Sequence, residues 1–303
     1  MAAALFFTFF PADCRICGSP LLRVSRLPVC ETCLLGLRPL QGSYCAVCGE
    51  ALHFAAYLDQ REDRQATDRG EPDREEPRCL LCQRVDPPFE RAVAYGSYDG
   101  GLRDLIHLLK FQQVRPAAAV LGRMLAETIA NLEPAMPVGR VAVVPVPLYR
   151  GKQAQRGFNQ AETIARNALQ RLSRPKRFEL CTGMLLRHRN TESQIGLTSH
   201  QRRENLRGAF AVSDPTRVLR RDILLVDDVY TTGTTASECA RVLLRAGAAR
   251  VWVATVARTL KLKNSNVFVL PQDQLQDQPD DDSGNGNSND EGTDVRPRVA
   301  AHG

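Results

Sequence analysis

Residues 223–235, reading ILLVDDVYTTGTT, admit few structures. Ile223, Leu224, Leu225 and Val226 are consecutive apolar β-formers, the pattern of a strand covered on both faces. They run into two carboxylates, Asp227 and Asp228, then into Thr231, Thr232, Gly233, Thr234 and Thr235, after which residues 236–246 have helical spacing. The order predicts a buried strand, a tight turn and a helix N-terminus. Backbone N–H groups of residues 231–235, with the threonine hydroxyls, then converge on an anion at the positive end of the helix dipole. The carboxylates suit sugar hydroxyls, so a ribose 5-phosphate satisfies both halves. An ordinary polar turn with threonine caps explains each part alone but not all of them in this order. A P-loop is excluded, because no lysine follows the glycine and acids precede the turn.

Cysteine marks out the N-terminal part. Eight of the ten cysteines lie before residue 83 in four CxxC pairs: Cys14/Cys17, Cys30/Cys33, Cys45/Cys48 and Cys79/Cys82. Two pairs make one tetrahedral Cys₄ zinc site, with Gly18 and Gly49 supplying tight turns behind the thiolates. Chain proximity favours the first pair with the second and the third with the fourth; spacing alone also permits an interleaved arrangement. Disulfides would need an oxidising compartment, and a redox CxxC normally comes singly on a βαβ unit. With four thiolates per metal no position is open to water, so two structural zincs are expected. Residues 14–82 carry too few large apolar side chains for a core of their own, so metal binding, worth about 10 kcal/mol per site, must hold them. Residues 59–77 form a mixed-charge insertion, and His53 beside it is better read as an ordinary histidine than as a substitute ligand.

The chain of 303 residues can hold one sizeable α/β domain and a small satellite. Its net charge of +6 conceals a split: residues 271–303 hold eight acids against two arginines, leaving +12 on the rest. A basic body suits phosphorylated substrates and nucleic acid alike. The polar tail, 271–303, is expected to be disordered. No stretch approaches the roughly 18 uninterrupted apolar residues of a membrane-spanning helix. The apolar segment 5–10 lacks a basic flank and is expected to pack, not to act as a signal. A protein without membrane insertion, working in the cytoplasm, is the expectation.

From residue 91 strands and helices alternate: strands at 92–96, 141–146, 184–187, 223–229 and 251–257, helices at 102–111, 117–132, 158–172 and 235–246. Such alternation predicts a parallel sheet covered on both faces, with ligands at the carboxyl ends of its strands. After the second strand come Arg150, Lys152 and Arg156, a plausible diphosphate clamp or simply a solvated loop. Residues 187–210 are basic and poor in periodicity. They read either as a hood closing over substrate, with Arg187, Arg189, Gln194, Arg202, Arg203 and Asn205, or as a nucleic-acid-binding or solvated connection. Cys181 and Cys239 are most simply packed thiols.

The segment 223–235 resembles the phosphoribosyl pyrophosphate (PRPP) motif of type I phosphoribosyltransferases. The ordered set of CxxC pairs, LIHLLKFQ, VVPVPLYRGKQAQRGFNQAE, RHRNTESQIGLTSHQRRENLRGAF and ILLVDDVYTTGTT resembles the ComF/GntX family, across about residues 10–258. The resemblance implies an α/β fold: a type I phosphoribosyltransferase-like parallel sheet flanked by helices over residues 91–260, preceded by a small double zinc ribbon over 1–90. It implies ribose 2- and 3-hydroxyls at Asp227 and Asp228, which would also serve the reaction, and the 5-phosphate at residues 231–235. Diphosphate would lie at Arg150, Lys152 and Arg156, with Mg²⁺ accompanying PRPP. Relatives in transformable bacteria are associated with competence and uptake of single-stranded DNA, which implies DNA and the DNA-uptake machinery as partners. Thr231 stands where 6-oxopurine salvage enzymes generally carry an acid, which argues against hypoxanthine-guanine salvage. Two expectations follow: phosphoribosyl transfer to an unidentified acceptor, or a non-catalytic DNA-binding factor regulated by PRPP or a nucleotide. Few aromatics accompany the cations, so DNA would be held mainly through its phosphates.

Overall fold

A computed structural model describes residues 12–21, 23, 25–52, 76–189 and 199–260, with the side chains of 199, 200, 202 and 203 excepted. The segment 5–10, His53, nearly all of the 59–77 insertion, Gln194 and the tail lie outside the described residues.

Two short helices, α1 (Glu31–Leu35) and α2 (Leu80–Arg84), belong to the cysteine-rich part. The sheet begins with β1 (Ala92–Ser97), followed by α3 (Gly100–Phe111) and α4 (Ala117–Leu132), whose buried side chains recur at helical spacing. Next come β2 (Val141–Pro145), α5 (Arg150–Arg156), α6 (Gln160–Leu169) and β3 (Phe178–Leu180). Then follow β4 (Leu185–Arg187), α7 (Ser199–Leu206) and β5 (Phe210–Val212). The chain returns to the sheet with β6 (Asp222–Tyr230), α8 (Thr234–Arg245) and β7 (Arg250–Arg258).

Five strands form one sheet in the order β1-β7-β6-β2-β3, every pairing parallel. The connection from β2 leads outward to β3, whereas that from β6 leads the other way to β7. The switch point therefore falls between β2 and β6, the crevice where open α/β sheets bind ligands. Side chains alternate between two cores. Val143, Leu224 and Val226 face α3, α4 and α6; Ala142, Val144, Ile223 and Leu225 face α8 and the β4–β5 excursion. Among the described residues no helix is long and apolar enough to cross a membrane.

Five described elements differ from the sequence expectation. Residues 150–156, expected as a loop, form α5 with none of its residues buried, so no apolar stripe announces it. Helix α7 likewise rises from a segment with little apolar periodicity. Strands β3 and β5 have three residues each, too few for alternation to be read. The strand expected at 184–187 leaves the parallel sheet and pairs antiparallel with β5.

Candidate functional site

The two acids on β6 end in different surroundings because successive strand residues point to opposite faces. Asp228 continues the row of Leu224 and Val226 and is 3% exposed. There Lys110 of α3 forms an ion pair with its Oδ2, and Gln160 Nε2 donates to Oδ1 at 3.4 Å. Burial pushes the Asp228 carboxyl upward, but the Lys110 charge and the hydrogen bonds prevail and hold it below the ordinary aspartate value. Burial likewise lowers the Lys110 ammonium, and Asp228 reverses that to a net rise. Asp227 continues the opposite row, and its Oδ1 accepts the Asp228 N–H at 2.9 Å. Burial, then the adjacent Asp228 charge, push its pKa well above the usual range. One carboxylate is firmly ionised and its neighbour resists ionisation.

Lys110 was not singled out in the sequence. The available signal was its register: Leu102 and Ile106 are buried on α3, and Lys110 continues their i, i+4 row. Gln160 belongs to the segment VVPVPLYRGKQAQRGFNQAE, in which nothing local marks it out. It opens α6, whose Asn159 N-cap accepts Ala161 N–H at 2.9 Å and donates to the Val146 carbonyl at 3.0 Å. That cap fixes Gln160 at the mouth of the crevice.

The turn after β6 has the expected form. Gly233 lies at φ +75° just before α8, and the Thr232 and Thr234 hydroxyls are 2.8 Å apart. The first N–H groups of a helix lack intrahelical acceptors, so α8 presents donors here beside two hydroxyls. Thr231 is exposed; Thr232, Thr234 and Thr235 are half-buried. A Cβ at Gly233 would stand 2.1 Å from the Tyr230 hydroxyl oxygen, and Tyr230 is itself buried. Gly233→Ala is expected to cost about 2 kcal/mol, from backbone strain and the displaced ring, and to weaken phosphate binding. Urea denaturation and calorimetry with PRPP check both effects.

The three cations of α5 do not lie on one face of the helix. On α5, Lys152 and Arg156 lie about 40° apart around the axis, whereas Arg150 is more than 100° from both. Lys152 titrates below the ordinary lysine range through partial desolvation and the nearby Arg187 and Arg156 charges. Arg156 Nη1 donates to Gln160 Oε1 at 2.5 Å, and its guanidinium lies 5.6 Å over the Phe111 ring. Lys152, Arg156 and Arg187 thus share one field, with Asp228 acting on Arg156 and Asp227 on Arg187. Arg187 also stacks on Phe210 at 5.4 Å, and Arg189 Nη2 donates to the Asn205 carbonyl at 2.7 Å. The Gly208 N–H donates to Glu238 on α8 at 3.1 Å, tying the β4–β5 excursion to the helix that follows the 231–235 turn. Arg202 and Arg203 lie on α7.

The cysteines resolve into two sets by chain order, Cys14, Cys17, Cys30 and Cys33, and Cys45, Cys48, Cys79 and Cys82. Within each set the Sγ atoms all lie within 4.8 Å of one another. Zinc–sulfur bonds of about 2.3 Å in a tetrahedron require sulfur separations of about 3.8 Å. Cys17–Cys30 and Cys48–Cys79 are at 3.6 Å and Cys14–Cys33 at 3.9 Å, so the donor sets fit zinc. Backbone N–H groups of Ile16 and Cys30 also point at Cys14 Sγ, as they do in a thiolate knuckle. The first set packs into the core beside α3 and α4, the second into the opposite core.

A double zinc ribbon leading into a five-stranded parallel sheet flanked by helices is the class that these elements define. A family model described as a double zinc ribbon domain matches residues 5–65, a span that holds the first three CxxC pairs. The DNA utilization protein YhgH of Escherichia coli K12 is 33% identical over 233 residues, 77% of this chain and 97% of its own. Competence protein F of Haemophilus influenzae is 30% identical over 256 residues, 84% and 98% of the two chains. The chain belongs to the ComF/GntX family. Among solved structures, the B. subtilis glutamine PRPP amidotransferase complexed with ADP and GMP matches 47% of this chain and 26% of its own, at 22% identity and a TM-score of 0.30.

Proposed function

We propose that the protein binds PRPP or a related phosphorylated ribose and transfers the phosphoribosyl group to an acceptor that has yet to be identified. One observation carries the reading: two acids at the carboxyl end of β6, at the switch point, lead directly into the 231–235 turn that opens α8. Asp228, held ionised by Lys110, accepts from one ribose hydroxyl; Asp227 accepts from the other. The turn takes the 5-phosphate, and Lys152 and Arg156 meet the diphosphate, with Mg²⁺ arriving on PRPP. Transfer breaks the bond between C1 and the diphosphate oxygen while an acceptor nitrogen forms its bond to C1 and loses a proton. The protein's share is orientation and charge stabilisation on the departing diphosphate. A cytoplasmic setting belongs to the same reading, since eight thiolates must stay reduced to hold zinc.

Asp227 also sets a pH signature. Its raised pKa means that it holds a proton where an ordinary aspartate has lost it, so ionising to meet Mg²⁺ and ribose releases that proton. Affinity is expected to rise with pH, and calorimetry in buffers of different ionisation enthalpy should show protons released on binding.

Incubation with PRPP, Mg²⁺ and a panel of nucleobases and amines, following acceptor-dependent diphosphate release, tests the enzymatic reading. The relatives' names, DNA utilization protein and competence protein, favour a second one: a non-catalytic factor that holds single-stranded DNA, with PRPP as regulator. On that reading no acceptor releases diphosphate, and DNA affinity falls steeply with salt.

A further inference from the structure

Arg258, the last residue of β7, is 2% exposed and lies 210 residues along the chain from Cys48, yet it joins the second cysteine set to the 231–235 turn. Its Nη1 donates to the carbonyl of Cys48, a member of the second set, and its Nη2 pairs with Glu50 Oε2 at 2.6 Å. Its guanidinium lies 5.2 Å over the ring of Tyr230, which is itself 8% exposed and braced edge-on by Phe89 at 6.5 Å. The Tyr230 hydroxyl in turn underlies Gly233, at the centre of the turn. Backbone bonds reinforce the line: Thr259 N–H donates to the Tyr230 carbonyl at 2.9 Å, and Ala92 N–H to the Val47 carbonyl at 2.7 Å. Room for the guanidinium depends on Gly49, where a Cβ would stand 3.0 Å from Nη1 and 2.9 Å from the Ala92 carbonyl.

We propose that Arg258 is a positioning residue through which the second zinc ribbon sets the shape of the 231–235 turn, so that loss of that zinc loosens the phosphate site. The physical basis is that a buried guanidinium needs its acceptors. When the Cys45–Cys48 knuckle opens, Arg258 loses the Cys48 carbonyl and Glu50 together, and the cation turns away from Tyr230 toward water. The ring then no longer has a fixed seat beneath Gly233. The first cysteine set packs on the other core, and the hydrogen bond from Arg15 in that ribbon to Gln112, the C-cap of α3, at 2.6 Å is exposed. The two zincs therefore differ in role: the first holds its own ribbon against α3 and α4, and the second also conditions the turn. For PRPP the inference rests on the binding reading above; for the order of the turn it does not.

The test uses the full chain loaded with zinc. Amide hydrogen exchange over residues 229–236, zinc content and PRPP affinity are measured for Arg258→Met, Arg258→Lys, Cys79→Ser and Cys17→Ser. Arg258→Met is expected to keep both zincs while exchange in the turn rises about tenfold and PRPP binding weakens about tenfold. Arg258→Lys should fall between, because a single ammonium cannot serve a carbonyl and a carboxylate in forked geometry. Cys79→Ser should lose one zinc and loosen the turn as Arg258→Met does, whereas Cys17→Ser should lose one zinc and leave exchange in the turn unchanged. Unchanged exchange in Cys79→Ser, or equal loosening from either zinc site, overturns the proposal, and both comparisons hold even if Arg258→Met fails to fold. If the exchange pattern is as expected but the wild type does not bind PRPP, the ligand reading alone falls.

Discussion

Asp228→Asn is expected to lower folding stability by about 3 kcal/mol, because it strands the Lys110 ammonium where only 18% of that side chain meets solvent. Asp227→Asn is expected to move the other way, although the residues are adjacent and the change in size is the same. Asp227 is an acid whose folded pKa is raised, so the fold favours its protonated form; stability declines as pH climbs from the ordinary aspartate value of 3.8 through the raised value. An amide removes that loss and still offers Oδ1 to the Asp228 N–H. Asp228 has a depressed pKa, so its contribution is present above its unfolded value and is lost as pH falls through the folded one. Urea denaturation at neutral pH should show a large loss for Asp228→Asn and no loss, or a gain, for Asp227→Asn. Equal losses would mean that the two faces of β6 are not electrostatically distinct.

Zinc removal is expected to have the largest effect on the fold. Each site supplies about 10 kcal/mol to a segment with little core of its own. The loss should also reach the sheet, because Cys45, Val47, Cys48 and Cys82 share a core with Ile223, Leu225 and Val253. Elemental analysis of protein purified without chelator should find two zincs per chain, and Cys45→Ser one. Cys45→Ser should denature at a much lower urea concentration, with the fluorescence of Trp252 on β7 reporting the sheet. One metal or none in the wild type would contradict the two Cys₄ sites. An unchanged sheet transition in Cys45→Ser would show instead that the ribbon is energetically separate.

What the sequence disclosed follows from where local pattern carries information. The strand at 223–229 and the turn after it were readable because burial on both faces and the turn's chemistry are each written in consecutive residues. The four CxxC pairs were readable because metal ligation fixes spacing, although the choice between sequential and interleaved pairing needed the fold. Helices α5 and α7 were not readable: RGKQAQR buries no residue, and SHQRRENL has little apolar periodicity. Lys110 and Arg258 were missed for another reason. Each lies about a hundred residues or more along the chain from its main partner, Asp228 and Cys48 respectively, and only strand order brings them together. The Asp pair was visible in sequence, but the division of labour between its members was not. That division is set by the sheet's alternation and by Lys110 arriving on one face alone.

The measurement that bears most directly on the account is calorimetric titration of PRPP with Mg²⁺ into the wild type and into Asp227→Asn, the variant expected to fold at least as well. The expected result is saturable binding to the wild type, weakened in the variant by about 2 kcal/mol, the worth of a hydrogen bond to a charged acceptor. Equal affinity for the two proteins, or no binding to either, would contradict it.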